Sequence, residues 1–337
     1  MKKIIMFALL AAVAVFVAVN IFSVDVVEET AATSEVSVPV GPEFNADSAY
    51  SFCAAQCAFG PRIMNSTAHD RCENYIIGKF KDYGMTVMTQ KAFLTAYDGT
   101  KLNSTNIIAS YKPEATDRVL LCAHWDSRPW ADNDPDEKNH KTPVLAANDG
   151  ASGVAVLLEI ARLLSTDTLN IGVDFICFDA EDCGSPQWAD KQDDASWALG
   201  SQYWAARPHK DGYTARYGIL FDMVGGQGAT FYREQASVKY ASDIVDKVWE
   251  AAQNVGYSSL FPNSDGGWIT DDHIAVNTVA KIPTVDIIPY YPDCNDSSFG
   301  PTWHTVSDDM EHIDRNTLKA VGQTAIQILF STSTAGI

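Results

Sequence analysis

Three short apolar runs constrain this chain most, because each leads into side chains that can bind a metal or move a proton. Leu120-Leu121-Cys122-Ala123 leads to His124, Ile171 to Phe178 leads to Asp179 and then Glu181-Asp182, and Ile219-Leu220-Phe221 leads to Asp222. None shows the strict alternation of a half-exposed strand, so each reads as a strand buried on both faces. Buried strands need helices above and below them, and the stretches between the runs carry helical periodicity. The expected fold is therefore α/β, a three-layer αβα sandwich with a central mixed, largely parallel sheet. Ligands of such sheets gather beyond the carboxyl ends of the strands, where these acids and histidines fall.

Other elements follow from periodicity and punctuation. Helices are expected over Asn45–Gly60, His69–Tyr83, from Asp149-Gly150 to about Leu164, near Ala198–Ala206, over Ala236–Val255 and over Arg315–Phe330, the last capped by Asp314. Strands are expected over Met85–Phe93, Ser104–Tyr111, Arg118–His124, Gly218–Met223 and Thr284–Pro289. No internal repeat and no second linker interrupts the pattern, so residues 41–337 are expected to form one domain.

The first residues differ in kind. Lys2-Lys3 precede a nearly unbroken apolar stretch from Ile4 to Val24, the layout of an export signal. The stretch also reaches the roughly 20 residues that span a bilayer. Residues 1–24 are thus either a cleaved signal peptide or a retained membrane anchor, and residues 25–40, without an aromatic, read as a tether. Both readings export the domain, placing it in the periplasm, free or held at the inner membrane through residues 4–24.

The formal charge of −19 argues against a nucleic-acid partner, which needs a basic surface. Seven cysteines at irregular spacing do not make a disulfide framework. Cys122 and Cys177 fall within apolar strands as buried thiols, Cys53 and Cys57 have helical spacing, and Cys183 or Cys294 could find a partner in an oxidising compartment.

Each chemical group has a plain alternative. His124-x-Asp126 can offer an imidazole to a metal while the Asp orients it, or be a loop histidine beside an acid. Asp149 can be a ligand or the cap of the following helix. Glu181-Asp182 can divide metal binding and proton transfer, or be a loop pair without a role. Asp222 ends an apolar strand, so a buried carboxylate there must be paired, protonated or bound to a cation. Asp271-Asp272-His273 suits a helix N-terminus, and Trp303-His304 stands alone late in the chain. The loop from Trp130 to Glu137 is calcium-like in composition without EF-hand spacing. Jointly, two histidines and several carboxylates at strand ends favour a metal with N and O ligands, zinc above others. No Gly-x-Ser-x-Gly elbow and no phosphate loop competes.

In the order His124-x-Asp126, Asn148-Asp149-Gly150, Glu181-Asp182, Asp222 and His304, the chain resembles the zinc exopeptidase-like superfamily with the aminopeptidase fold, from about Phe59 to Leu329. Within it the chain resembles the bacterial glutaminyl cyclases, or glutaminyl-peptide cyclotransferases. Phe59-Gly60-Pro61-Arg62, Ala123-His124-Trp125-Asp126-Ser127-Arg128, Thr270-Asp271-Asp272-His273 and Trp303-His304-Thr305 carry that likeness. The resemblance implies one zinc per chain held by Asp149, Asp182 and His304, with Glu181 as general acid/base. It implies an acidic hydrogen-bonded network of Asp222 and Asp271 beside Glu181, and Trp303 as a pocket wall, to which Trp188 is added here as a second aromatic. Animal relatives carry Glu-Glu where this chain has Glu181-Asp182, which shortens one ligand. The implied substrates are peptides or proteins with N-terminal Gln, whose α-amine closes a five-membered ring on the side-chain amide and releases ammonia.

The rival is a two-zinc aminopeptidase, with His124 and Asp222 on a second metal, Asp149 bridging and Glu181 activating water. Trp303 and the Asp271-Asp272-His273 run favour the cyclase. A non-catalytic binding ectodomain is the third reading, disfavoured because every catalytic group is retained.

Overall fold

The computed structural model describes residues 39–334, so the expected signal or anchor and the tether up to residue 38 lie outside the described residues. The chain is tied to the domain by Val40, whose N–H donates to Gln327 Oε1 at 2.8 Å. Six strands form the central sheet: β1 (Thr86–Thr95), β2 (Lys101–Tyr111), β3 (Arg118–His124), β4 (Gly172–Phe178), β5 (Gly218–Phe221) and β6 (Thr284–Ile287). Their order is β1-β2-β4-β3-β5-β6. The last four run parallel, while β2 lies antiparallel to β4 and to β1. This is the mixed, largely parallel sheet expected.

Both faces are apolar, as buried strands require. Residues such as Leu121, Phe175, Ile219 and Val285 turn to one face, covered by α1 (Ala46–Cys57), α2 (Thr67–Asp82), α3 (Ala151–Leu164), α5 (Gln235–Asn254) and α7 (Arg315–Thr334). Their strand neighbours Leu120, Cys122, Ile176 and Leu220 turn to the other, covered by α4 (Leu199–Ala206) and α6 (Asp272–Thr278). Phe175 lies on Phe80 of α2 with ring centres 5.5 Å apart, and Phe178 on Trp204 of α4 at 5.7 Å. Each buried aromatic of this size contributes about 3–5 kcal/mol against truncation to alanine.

Helix ends follow capping chemistry. Asn45 accepts from Ser48 N–H to start α1, and Ser66 accepts from His69 N–H to start α2. The α2 start is two residues earlier than periodicity predicts, because Thr67 and Ala68 form the first turn behind the Ser66 cap. At the far end of α2, Gly84 (φ +76°) reverses the chain into β1. Strand β5 is shorter than expected: Asp222 and Met223 lie beyond it, and Met223 adopts φ 50°. Helix α7 opens with Asp314 accepting from Asn316 N–H at 2.8 Å.

The topology fixes where a site can form. From β3 the chain crosses through α3 to β4 on one side, then returns through α4, on the opposite face, to β5 on the other side of β3. That reversal opens a crevice above the carboxyl end of β3, the place where ligands of open α/β sheets bind.

Candidate active site

His124, the last residue of β3, stands in the middle of the crevice floor and is 1% exposed. Its Nε2 lies 2.9 Å from Asp149 Oδ1 and 3.2 Å from Asp222 Oδ1. Its Nδ1 lies 3.5 Å from Asp126. Asp149 therefore does not cap α3: Gly150 occupies the cap position and no side-chain bond is made there. Gly150 also cannot carry a side chain, since a Cβ there would meet His124 Nε2 at 2.4 Å. The Asp149 carboxylate is turned to the histidines instead, and Asp308 holds its backbone by accepting from the N–H groups of Asn148 (2.7 Å) and Asp149 (3.1 Å).

Beyond β4 the chain turns sharply, with Ala180 at φ 54°. A non-glycine residue in this left-handed region costs energy and recurs at functional sites. Asp126 holds the turn: its two carboxylate oxygens accept from Glu181 N–H (3.0 Å) and Asp182 N–H (3.1 Å). Asp126 thus reaches past His124 to aim the Glu181-Asp182 pair, a wider role than orienting an imidazole. Asp182 points its carboxylate at His304, whose Nε2 is 3.1 Å from Asp182 Oδ1 and 3.6 Å from Asp149 Oδ2. His304 itself adopts φ 54°.

Ligand atoms of Asp149, Asp182 and His304 lie within 4.8 Å of one another, and so do those of His124, Asp149 and Asp222. The first set fits a metal on its own chemistry. Both oxygens of Asp182 are buried without a well-formed hydrogen bond, with His304 Nε2 at 3.1 Å and Arg128 Nη1 at 3.7 Å as the nearest cationic groups; such an acid must be balanced by a cation or a proton. Burial works against a charged His304, but Asp182 and Asp132 outweigh it and hold the imidazole up at about 9. A proton held there is what a metal ion displaces on binding.

Acids crowd the other side of the floor. Burial foremost, then the charges of Asp182, Asp271 and Asp272, push Glu181 well above the ordinary carboxylate range, against the pull of His124. Burial, with Asp271 and Asp149 adding to it, raises Asp222 to about 7 despite its bond to His124. Asp271 caps α6 by accepting from Asp272 N–H, as the dipole argument expects, and keeps its Oδ2 unpartnered. It therefore serves as both cap and site wall. Asp222 and Asp271 influence one another by charge, while their assigned hydrogen bonds go to His124 and to α6.

A cavity of about 190 Å³ opens over this floor, lined by Asp149, Glu181, Asp182, Asp222, Asp271 and His304 below and by Trp197, Ile269, Phe299 and Trp303 around it. It is smaller than the roughly 300–1,000 Å³ of drug-sized pockets, so it suits a single side chain. Trp303 stacks on His304 with centroids 3.8 Å apart. Trp188 is a correction: it is 38% exposed and lies outside the cavity, against Lys141, His140 and Trp130. Trp197 takes the wall position, parallel to the His304 ring within 6°. The pairs Ala198 N–H to Glu181 C=O and Leu199 N–H to Ala180 C=O bring it there, a return of the chain that leaves no periodic signal in the sequence.

The aspartates of the 130–137 loop are engaged within the protein, Asp136 by accepting from Lys138 N–H. Asp132 pairs with Arg128, and Asp134 accepts from the N–H groups of Val306 and Asp136. All seven cysteines are free thiols, Cys183 and Cys294 included.

Residues 106–329 match the model of the peptidase M28 family. The chain belongs to that family. Its relatives include the solved glutaminyl cyclase of Bacteroides thetaiotaomicron bound to N-acetylhistamine, 53% identical over 86% of this chain and 99% of that one, TM-score 0.85. The glutaminyl cyclase of Tannerella forsythia is 52% identical with a TM-score of 0.84, over 86% of this chain and 99% of its own. Aminopeptidase YwaD of Bacillus subtilis is 29% identical over 73% of this chain, and the chain spans about half (49%) of that protein. Cyclases and an aminopeptidase thus share this family, and the fold expected from the buried strands is the one these relatives have.

Proposed function

We propose that this M28 enzyme cyclises N-terminal glutaminyl residues of peptides or proteins to pyroglutamate with release of ammonia. One zinc ion would be held by Asp149, Asp182 and His304, three N and O donors in the pattern of a catalytic zinc with an open position. When bound there, zinc supplies Lewis-acid polarisation of the substrate's γ-amide carbonyl.

The remaining work falls to side chains. The aromatic walls Trp197, Phe299 and Trp303 admit one flat side chain and keep water out, which matters because water is not a reactant. Ring closure forms a bond between the α-nitrogen and the side-chain amide carbon and breaks the bond from that carbon to the amide nitrogen. Glu181 takes a proton from the α-amine and returns it to the departing nitrogen, which leaves as ammonia. Its raised proton affinity suits both transfers near neutral pH. Burial and the charges of Asp182, Asp271 and Asp272 sustain that affinity, and Asp222 lines the same floor.

The observation that carries this reading is the cavity lining. The cavity opens on Asp149, Asp182, His304 and Glu181, whereas His124 is not part of its surface. The two-zinc aminopeptidase is supported by the compact His124–Asp149–Asp222 set, which reaches the cavity through Asp149 and Asp222 but not through His124. Incubation with Gln-peptides and Ala-peptides tests the choice. Ammonia from the former and no amino acid from the latter is expected; free amino acids, with two zinc ions per chain, would overturn it.

The apolar start supports export to the periplasm, with residues 1–24 either removed or kept as an anchor. Among the described residues, no helix is long and apolar enough to cross a membrane.

A further inference from the structure

Arg128 follows β3 in the loop that leads to α3, and it is 1% exposed. The chemistry above gives it no part. Its guanidinium nevertheless reaches three separate walls of the site. Nε and Nη2 grip the two oxygens of Asp132 at 3.1 and 2.6 Å, and Asp132 Oδ1 stands 3.4 Å from His304 Nδ1. Nη1 donates to the main-chain carbonyls of Asp182 (3.1 Å) and Gly184 (3.0 Å). The cation also lies 4.5 Å from the ring centre of Trp197, and that ring packs so closely on Gly184 that a Cβ there would meet it at 2.0 Å.

We propose that Arg128 is the positioning residue of the site, presenting His304 through Asp132, Asp182 through its carbonyl, and Trp197 through its ring face. The inference rests on the ligand set Asp149–Asp182–His304 proposed above. An acid beside Nδ1 keeps the ring proton on that nitrogen and leaves the Nε2 lone pair for a metal. A fork of N–H groups then fixes the acid, and the same planar cation bonds two carbonyls and lies against an indole. A lysine would keep the charge while losing the fork and the plane. This separates positioning from simple neutralisation of the buried acids.

The test measures zinc affinity by chelator competition, with zinc itself as the probe, in Arg128→Lys, Asp132→Asn, the double variant and His304→Ala. Arg128→Lys and Asp132→Asn should each weaken zinc about 10- to 100-fold, the scale seen for partners behind metal ligands. The double variant should lose less than the product of the two single losses, because the path to His304 Nδ1 runs through both residues. KM for a Gln-peptide should rise in Arg128→Lys more than in Asp132→Asn, since only Arg128 touches Trp197. Zinc affinity within twofold of the parent in Arg128→Lys, or losses that multiply in the double variant, would overturn the proposal. If Arg128→Lys does not fold, unchanged affinity in Asp132→Asn overturns it equally. His304→Ala separates the layers. Retained zinc there removes the ligand set and this inference together, while zinc lost there and kept in the other two removes only the role of Arg128.

Discussion

Two adjacent acids, one peptide unit apart, meet different surroundings, and the proposed division of work between them follows from that. Asp182 faces the His304 imidazole at 3.1 Å and the Arg128 guanidinium at 3.7 Å, whereas burial and then the neighbouring acids keep the proton affinity of Glu181 high. Glu181→Gln should therefore retain zinc and lose turnover by roughly 10²- to 10⁴-fold, the usual worth of a general acid/base. Ammonia release measured beside metal content checks this, and parent-like turnover would rule it out. The aromatic wall gives a second residue-level expectation. Trp197→Ala should raise KM roughly 2- to 12-fold, in line with an aromatic contact of about 0.5–1.5 kcal/mol. Trp188→Ala, outside the cavity, should leave kinetics unchanged; the opposite pattern would return Trp188 to the wall.

At the level of elements, the site depends on one strand end supporting the next. Asp126, just past β3, accepts two N–H bonds from the turn after β4, and hydrogen bonds to a charged group contribute about 1.5–3 kcal/mol each. Asp126→Asn keeps one acceptor and turns an amide N–H₂ towards the second donor. Zinc affinity should fall about tenfold or more and urea stability by about 2 kcal/mol. Unchanged values in both would mean the turn holds itself. Strand ends were also the most legible part of the sequence, since an apolar run that stops at an acid reveals both a strand and its carboxyl end. Strand direction was less legible. Val87, Phe93 and Ile107 suit an antiparallel edge as well as a parallel one, and only the pairing of β2 with β4 decides it. The seven-residue α6 is too short to show a helical period beyond its acidic start. Trp188 looked nearer to the site than Trp197 only because it is nearer to Glu181 in sequence.

For the whole molecule, the buried acids make stability depend on pH and on metal. Burial raises Asp222 from 3.8 to about 7 in the folded protein, so folding favours its protonated form. That contribution is complete below about pH 4 and is lost as pH rises through about 7. Asp272 and Asp286 are pushed up by burial in the same direction. Metal-free protein should lose melting temperature between about pH 4 and 7 relative to Asp222→Asn, in which this slope is absent. Thermal melts of chelated samples across that window measure it, and identical slopes would refute it. Added zinc at about 100 times its dissociation constant should stabilise the fold by about 2.7 kcal/mol.

Asp308 lies six residues before the start of α7 at residue 314's cap, yet it is the group that holds the backbone of Asp149. Seen from the ribosome, this makes the centre a late achievement. The aspartate at 149 and its first histidine neighbour, His124, emerge early, but its backbone clamp and its second histidine neighbour arrive only with residues 304 to 308, when most of the chain has been made. A nascent chain halted before that point would carry two acids without their third donor and without the brace that aims one of them. On the proposed ligand set, metal capture would be coupled to near-completion of the chain, and a truncated product would be left without the centre.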